Sequence, residues 1–136
     1  MPVRALIVDD QAVIRRNLRL RFARLGCEIA EAENASRGLD LFRSFHPHLV
    51  TLDIMMPEVA GFTALDLLRR IRKEDGTTDV VVVSSRVDDR EQFLREGAIE
   101  FISKPFEGFD RLITKLQPLI DALNQKPARH EQEPAG

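Results

Sequence analysis

Five short apolar runs divide the chain: Val3 to Val8, Cys27 to Ala32, His48 to Leu52, Asp79 to Val83 and Ile99 to Ser103. Each has the length of a strand, and the unbroken valines from Val80 to Val83 are typical of a strand buried on both faces. The segments between them carry apolar residues at helical spacing. Ile14, Leu18, Phe22 and Leu25 predict a helix from about Gln11 to Leu25, closed by Gly26. Ser36 is placed to cap a second helix with Leu39, Phe42 and Phe45 inward. Gly61 leads into a third, built on Phe62, Leu65, Leu68 and Ile71, with Gly76 at its end. A short fourth helix, capped by Asp88 or Asp89, ends before Gly97. Phe109, Leu112, Ile113, Leu116, Leu119, Ile120 and Leu123 form one long stripe on a fifth. Pro118 lies inside that helix, where its missing N–H predicts a kink or a lost turn.

Strands alternating with helices predict an α/β domain whose parallel sheet is covered on both faces. Right-handed crossovers then favour a doubly wound, flavodoxin-like, five-stranded sheet in the order 2-1-3-4-5 with five helices. One such domain, residues 1–123, takes up most of the 136 residues. Residues 124–136 are too polar to pack and are predicted to be a disordered tail. A net charge of −2 offers no global attraction to nucleic acid. With no long apolar span and no cleavable signal, the expected location is cytoplasmic, with no membrane partner. The single cysteine, Cys27, excludes a disulfide within the chain and reads as a strand residue. Arg15, Arg16, Arg19 and Arg24 share the outer side of the first helix, either as a solvated face or as a surface for a partner.

The strand ends change the picture. The first run ends at Asp9 and Asp10, the third at Asp53, the fourth at Ser84 and the fifth at Lys104. In a parallel sheet these ends share one edge, where ligands bind. Three carboxylates held together repel one another unless positive charge lies among them. A hard divalent cation such as Mg²⁺, with a few carboxylates and waters, is the simplest remedy, and Lys104 adds a second positive charge. Ser84 offers a hydroxyl to an oxyanion. Those parts are what phosphoryl transfer to an aspartate requires. Singly they are weak signals, since Asp9 and Asp10 could cap a helix and Asp53 could be a turn residue.

As a set, Ala5-Leu-Ile-Val-Asp9-Asp10, Leu49-Val-Thr-Leu-Asp53-Ile-Met-Met-Pro57, Val80-Val-Val-Val-Ser84-Ser85 and Phe101-Ile-Ser-Lys104-Pro105-Phe106 resemble the response-regulator receiver domain over about residues 3–123. The resemblance implies that Asp53 accepts a phosphoryl group from the phosphohistidine of a sensor histidine kinase or a histidine phosphotransfer domain. It implies Asp10, Asp53 and the backbone carbonyl of Met55 as direct Mg²⁺ ligands, with Asp9 acting largely through water. Lys104 would pair with the phosphoryl group, and its bond to Pro105 would be cis. Ser84 and Phe101 would form the switch pair, changing an output face on the fourth helix, fifth strand and fifth helix that includes Arg95, Phe101 and Ser103. Met55 and Arg86 would flank the path of hydrolytic water, and their side chains predict slow loss of the phosphoryl group.

Ala60 stands where the family often has an acid, Ser85 where alanine is usual, and the stretch from Ser84 to Gly97 is about two residues short. The form of the output face is therefore the open part of the resemblance. The reading is of a stand-alone, chemotaxis-regulator-like receiver of two-component signalling that assists its own phosphorylation and autodephosphorylation and is otherwise no enzyme. It would be a monomer or a weak phosphorylation-dependent dimer, with its downstream target unassigned. Within the family, the alternative is a module cut from a longer regulator with a DNA-binding or enzymatic output. The remote alternative, an aspartate-nucleophile phosphatase, would have a second acid two residues after the nucleophile, where Met55 stands. A flavin or nucleotide carrier would need a phosphate-cradling loop after the first strand, and Asp-Asp-Gln would repel phosphate.

Overall fold

β-branched side chains suit an extended, doubly buried backbone, and the valine- and isoleucine-rich runs all form strands. A computed structural model describes residues 2–104 and 109–125, apart from the side chains of Asp110 and Arg111. The element order is β1 (Arg4–Val8), α1 (Ala12–Arg24), β2 (Glu28–Ala32), α2 (Ala35–Phe45), β3 (Leu49–Leu52), α3 (Ala64–Glu74), β4 (Asp79–Ser84), α4 (Arg90–Arg95), β5 (Glu100–Ser103) and α5 (Phe109–Gln125). The strands form one sheet in the order β2-β1-β3-β4-β5, with every pairing parallel. The cis bond expected at Lys104–Pro105 and the tail beyond Gln125 lie outside the described residues; Asn124 and Gln125 belong to α5.

Alternate residues of the strands feed two apolar layers. Leu6, Val8, Val50, Leu52, Val80 and Val82 pack with α2, α3 and Phe93 of α4. Ala5, Ile7, Leu49, Val81, Val83 and Ile102 pack with Leu18 and Phe22 of α1 and with Leu112, Leu116 and Ile120 of α5. Phe22 is fully buried, and burying a side chain of that kind contributes about 1.5–3 kcal/mol. α2 lies unusually close to the sheet, because a Cβ at Gly38 would stand 3.1 Å from Leu67 Cδ2 and 3.2 Å from Val8 Cγ2.

Several helix ends differ from expectation. Asn34, not Ser36, caps α2, accepting from the Arg37 N–H at 2.8 Å. α3 starts at a Thr63–Asp66 capping box, and its buried residues are Ala64, Leu67, Leu68 and Ile71, with Phe62 and Leu65 only partly covered. Gly61 belongs instead to a tight turn closed by the Phe62 N–H on the Val59 carbonyl at 3.1 Å. Ala60 in that turn has φ 55°, a left-handed conformation that costs an L-residue about 1–2 kcal/mol. Neither Asp88 nor Asp89 caps α4 with its side chain: both lie in a 3₁₀ turn, Val87–Asp89, and Asp89 pairs with Arg86 at 3.1 Å. α5 continues through Pro118, which lies on its exposed side.

α4 is short and held mainly at its C-terminal end. Arg69 of α3 donates from Nε to Glu96 at 2.9 Å. The Arg72 side chain lies over Gly97, where a Cβ would come within 2.6 Å of Arg72 Cδ, and its guanidinium donates to the Thr78 carbonyl.

Candidate functional site

Register decides what meets at the sheet edge. Val8 pairs with both Ala32 and Leu52, so the next residues, Asp9 and Asp53, leave the two central strands side by side. The Asp53 N–H bonds the Val8 carbonyl at 2.9 Å and fixes that juxtaposition. On the far side Ser84 pairs with Ser103, and the Lys104 N–H bonds the Ser84 carbonyl at 2.9 Å. Lys104 thereby starts its side chain beside β4 and can reach back across the edge.

Lys104 Nζ donates to Asp9 Oδ2 at 3.1 Å and lies 3.8 Å from Asp53 Oδ1. Asp9 and Asp53 are buried, at 3% and 5% exposure, while Asp10 is exposed. Carboxylate oxygens of all three lie within 4.8 Å of one another. Such an oxygen-only set, without nitrogen or sulfur, fits a hard divalent cation. Its crowding has a measurable cost. Burial, and then the charge of Asp9, push the Asp53 carboxyl up from 3.8 to about 6, against Lys104 and the Met55 N–H, which act in the opposite direction.

An acid with a raised native pKa binds its proton more tightly when folded, so ionised Asp53 destabilises the metal-free protein. Stability should therefore rise as pH falls from about 7 to about 4, across the window between the native value of about 6 and the ordinary value of 3.8. Calorimetry of chelator-treated protein, compared with Asp53→Asn, checks this. The wild type should gain on the variant over that window; parallel curves would refute it. Asp66, Glu74 and Glu96 have lowered pKa values, from hydrogen bonds to Thr63, Arg43 and Arg69 respectively. Their contributions are lost as pH falls below their ordinary values of 3.8 and 4.5, and because both proteins carry them they cancel in the comparison.

The other expected residues flank this centre. Ser84 is fully buried, and its hydroxyl accepts the Arg86 N–H at 3.2 Å, which leaves the hydroxyl proton to donate elsewhere. Phe101 is 7% exposed and packs in the core, so it contributes little to an output surface, whereas Arg95 and Ser103 are exposed. The Met55 N–H donates to Asp53 Oδ1 at 3.2 Å, and its thioether accepts from the Ser85 hydroxyl at 3.1 Å. Arg86 turns its guanidinium to Asp89 at 3.1 Å. Two features were missed in the sequence. Asp9, more closely than Asp53, holds Lys104. Arg15, one of the arginines read as a solvated face or a surface for a partner, donates to the Asp9 carbonyl at 2.7 Å and sits 3.5 Å from Glu31. The clue was position, because the first turn of α1 follows directly on the end of β1.

Residues 5–117 match the response regulator receiver domain family. The chain is 33% identical over 122 residues to the response regulator MprA of Mycolicibacterium vanbaalenii, covering 88% of this chain and 51% of the relative. Against the regulatory protein AtoC of Escherichia coli it is 38% identical over 125 residues, covering 90% and 26% respectively. It thus spans about half, or less, of these curated relatives. Among solved structures, the response regulator protein TrrA from Thermotoga maritima, in complex with Mg(2+)-BeF, is 32% identical with a TM-score of 0.74, over 86% of this chain and 98% of that one. Among the described residues no helix is long and apolar enough to cross a membrane.

Proposed function

The chain belongs to the response-regulator receiver family, and on that premise we propose that Asp53 accepts a phosphoryl group from phosphohistidine of a sensor kinase or a histidine phosphotransfer domain. The observation that carries this is the gathering of three carboxylates within 4.8 Å, with Lys104 at 3.1 Å and 3.8 Å from two of them. Lys104 and the Met55 N–H both approach Oδ1 of Asp53, leaving Oδ2 as the attacking atom. As the new O–P bond forms, the N–P bond of the donor breaks and its electron pair returns to the imidazole. Lys104 then exchanges a contact with Asp9 for one with the phosphoryl oxygens. The Ser84 hydroxyl donates to another of them. That withdrawal is the local event that Phe101, β5 and the neighbouring helices would transmit.

Asp10, Asp53 and the Met55 carbonyl are the residues that would bind Mg²⁺ directly, with Asp9 acting through water. When bound, the ion neutralises the clustered carboxylates and the transferring phosphoryl oxygens. The TrrA complex with Mg(2+)-BeF supports that choice of metal. The chain promotes its own phosphorylation and dephosphorylation in the cytoplasm, and its α4–β5–α5 face meets a downstream protein. Relatives that extend well beyond this chain support the same role for it as the input module of a longer regulator.

The test is incubation with acetyl phosphate and Mg²⁺. One equivalent of hydroxylamine-labile acyl phosphate should form, and a chelator should prevent it. No label at saturating donor and metal would overturn the proposal.

A further inference from the structure

Met55 spans the mouth of this site. Its backbone N–H is on Asp53 Oδ1 at 3.2 Å, at the end of β3, and its sulfur meets the Ser85 hydroxyl at 3.1 Å, just past the end of β4. It is also half-exposed, at 52%, whereas Met56 is packed against the core. The exposed side chain is therefore open to small oxidants at a point where the polarity of its sulfur bears on the acceptor carboxylate. Cys27, the one thiol, is half-buried, and burial pushes its pKa up, which holds back the reactive thiolate.

We infer that Met55 is an oxidative modification site: a peroxide converts its thioether to the sulfoxide, and the sulfoxide shortens the life of the phosphoryl group on Asp53. This rests on the acceptor reading above. A sulfur lone pair attacks one peroxide oxygen, the O–O bond breaks and an S–O bond forms. Sulfur is oxidised by two electrons, and hydrogen peroxide is reduced to water. A thioether is a weak acceptor that holds the Ser85 hydroxyl and little else. The sulfoxide oxygen is a strong acceptor, able to take the Ser85 hydroxyl and a water together. That water is then held beside the acyl phosphate instead of being excluded by an apolar side chain. Positioned acid–base groups contribute about 10²–10⁴-fold to such steps, and the sulfoxide orients water without taking its proton. The expected acceleration is accordingly smaller, about fivefold to tenfold.

The experiment uses the full chain with Cys27→Ser, labelled with acetyl phosphate and Mg²⁺, and times phosphate loss before and after hydrogen peroxide. Peptide mass spectrometry locates the oxygen. Met55 should be oxidised ahead of Met56, phosphate loss should quicken, and methionine sulfoxide reductase should restore the original rate. Met55→Leu should be insensitive to peroxide, and Met55→Gln, with a permanent acceptor, should lose phosphate faster without it. Oxidised Met55 with an unchanged rate, or Met56 oxidised first, overturns the inference and leaves the acceptor reading intact. A protein that takes no label before oxidation overturns the acceptor reading, and this inference with it.

Discussion

Replacing Asp53 by Ala is expected to abolish labelling by acetyl phosphate or phosphoramidate while leaving the fold intact. The three neighbouring carboxylates are not equivalent nucleophiles. Asp9 is as deeply buried as Asp53, but its Oδ2 is held by Lys104 at 3.1 Å and its Oδ1 by the Gln11 N–H at 2.9 Å. Asp10 is exposed and has less to gain from a desolvated, positively charged setting. Of the three, Asp53 alone combines burial, a cation within 4 Å and, among the described residues, an oxygen with no hydrogen-bond partner. Positioning of this kind amounts to many orders of magnitude in effective concentration, so no other side chain should replace it. Because ionised Asp53 weighs against the metal-free fold, the variant should melt no lower than wild type without metal. Label on Asp53→Ala at a comparable level would show that the nucleophile lies elsewhere.

Mg²⁺ should stabilise the wild type, and Asp10→Asn should erase that response. An ion held by few protein carboxylates and several waters binds weakly, at about millimolar strength. At about tenfold excess over such a dissociation constant, mass action gives about 1.4 kcal/mol, or about 5 °C for a domain of this size. Removing Asp10 takes away one ligand and also one of the charges that raise the Asp53 pKa. The metal-free variant should therefore be no less stable than wild type. Thermal melts with and without Mg²⁺ measure both. An unchanged metal response, or a clearly lower metal-free midpoint, would remove Asp10 from the ligand set.

The strand pattern was legible because it depends on burial alone. Val80 to Val83 had to lie between two helical layers, and once the strands were ordered the end residues had to converge. Asp53, Ser84 and Lys104 were placed at one sheet edge by that geometry. What the sequence hid depends on which of several local partners wins. Asn34 and Ser36 are both good caps, and only backbone conformation selects the first. Gly61 looked like a helix start because glycine punctuates both turns and helices, whereas Thr63 and Asp66 make the reciprocal bonds. Arg15, Arg16, Arg19 and Arg24 look alike in sequence. Arg15 differs from the others because the first turn of α1 carries it over the Asp9 carbonyl. After Ser84 the chain makes a 3₁₀ turn, Val87–Asp89, in place of a first helical turn, an outcome that residue spacing does not encode.

The close seat of α2 on the sheet connects remote mechanics to chemistry. Gly38 faces Val8, the residue immediately before Asp9, with no room for a methyl group unless Val8 or Leu67 yields by a few tenths of an ångström. Alanine would favour the helix over glycine by about 1 kcal/mol, which offsets the crowding, so Gly38→Ala should barely alter the melting point. One of the two crowded side chains, Val8, belongs to the strand that delivers Asp9 and Asp10. The change should therefore be read in a weakened Mg²⁺ titration, a lesion of alignment in a protein of undiminished stability. α2 touches no phosphoryl group, yet its tolerance for size at one position sets how accurately the C-terminal end of β1 can be aimed.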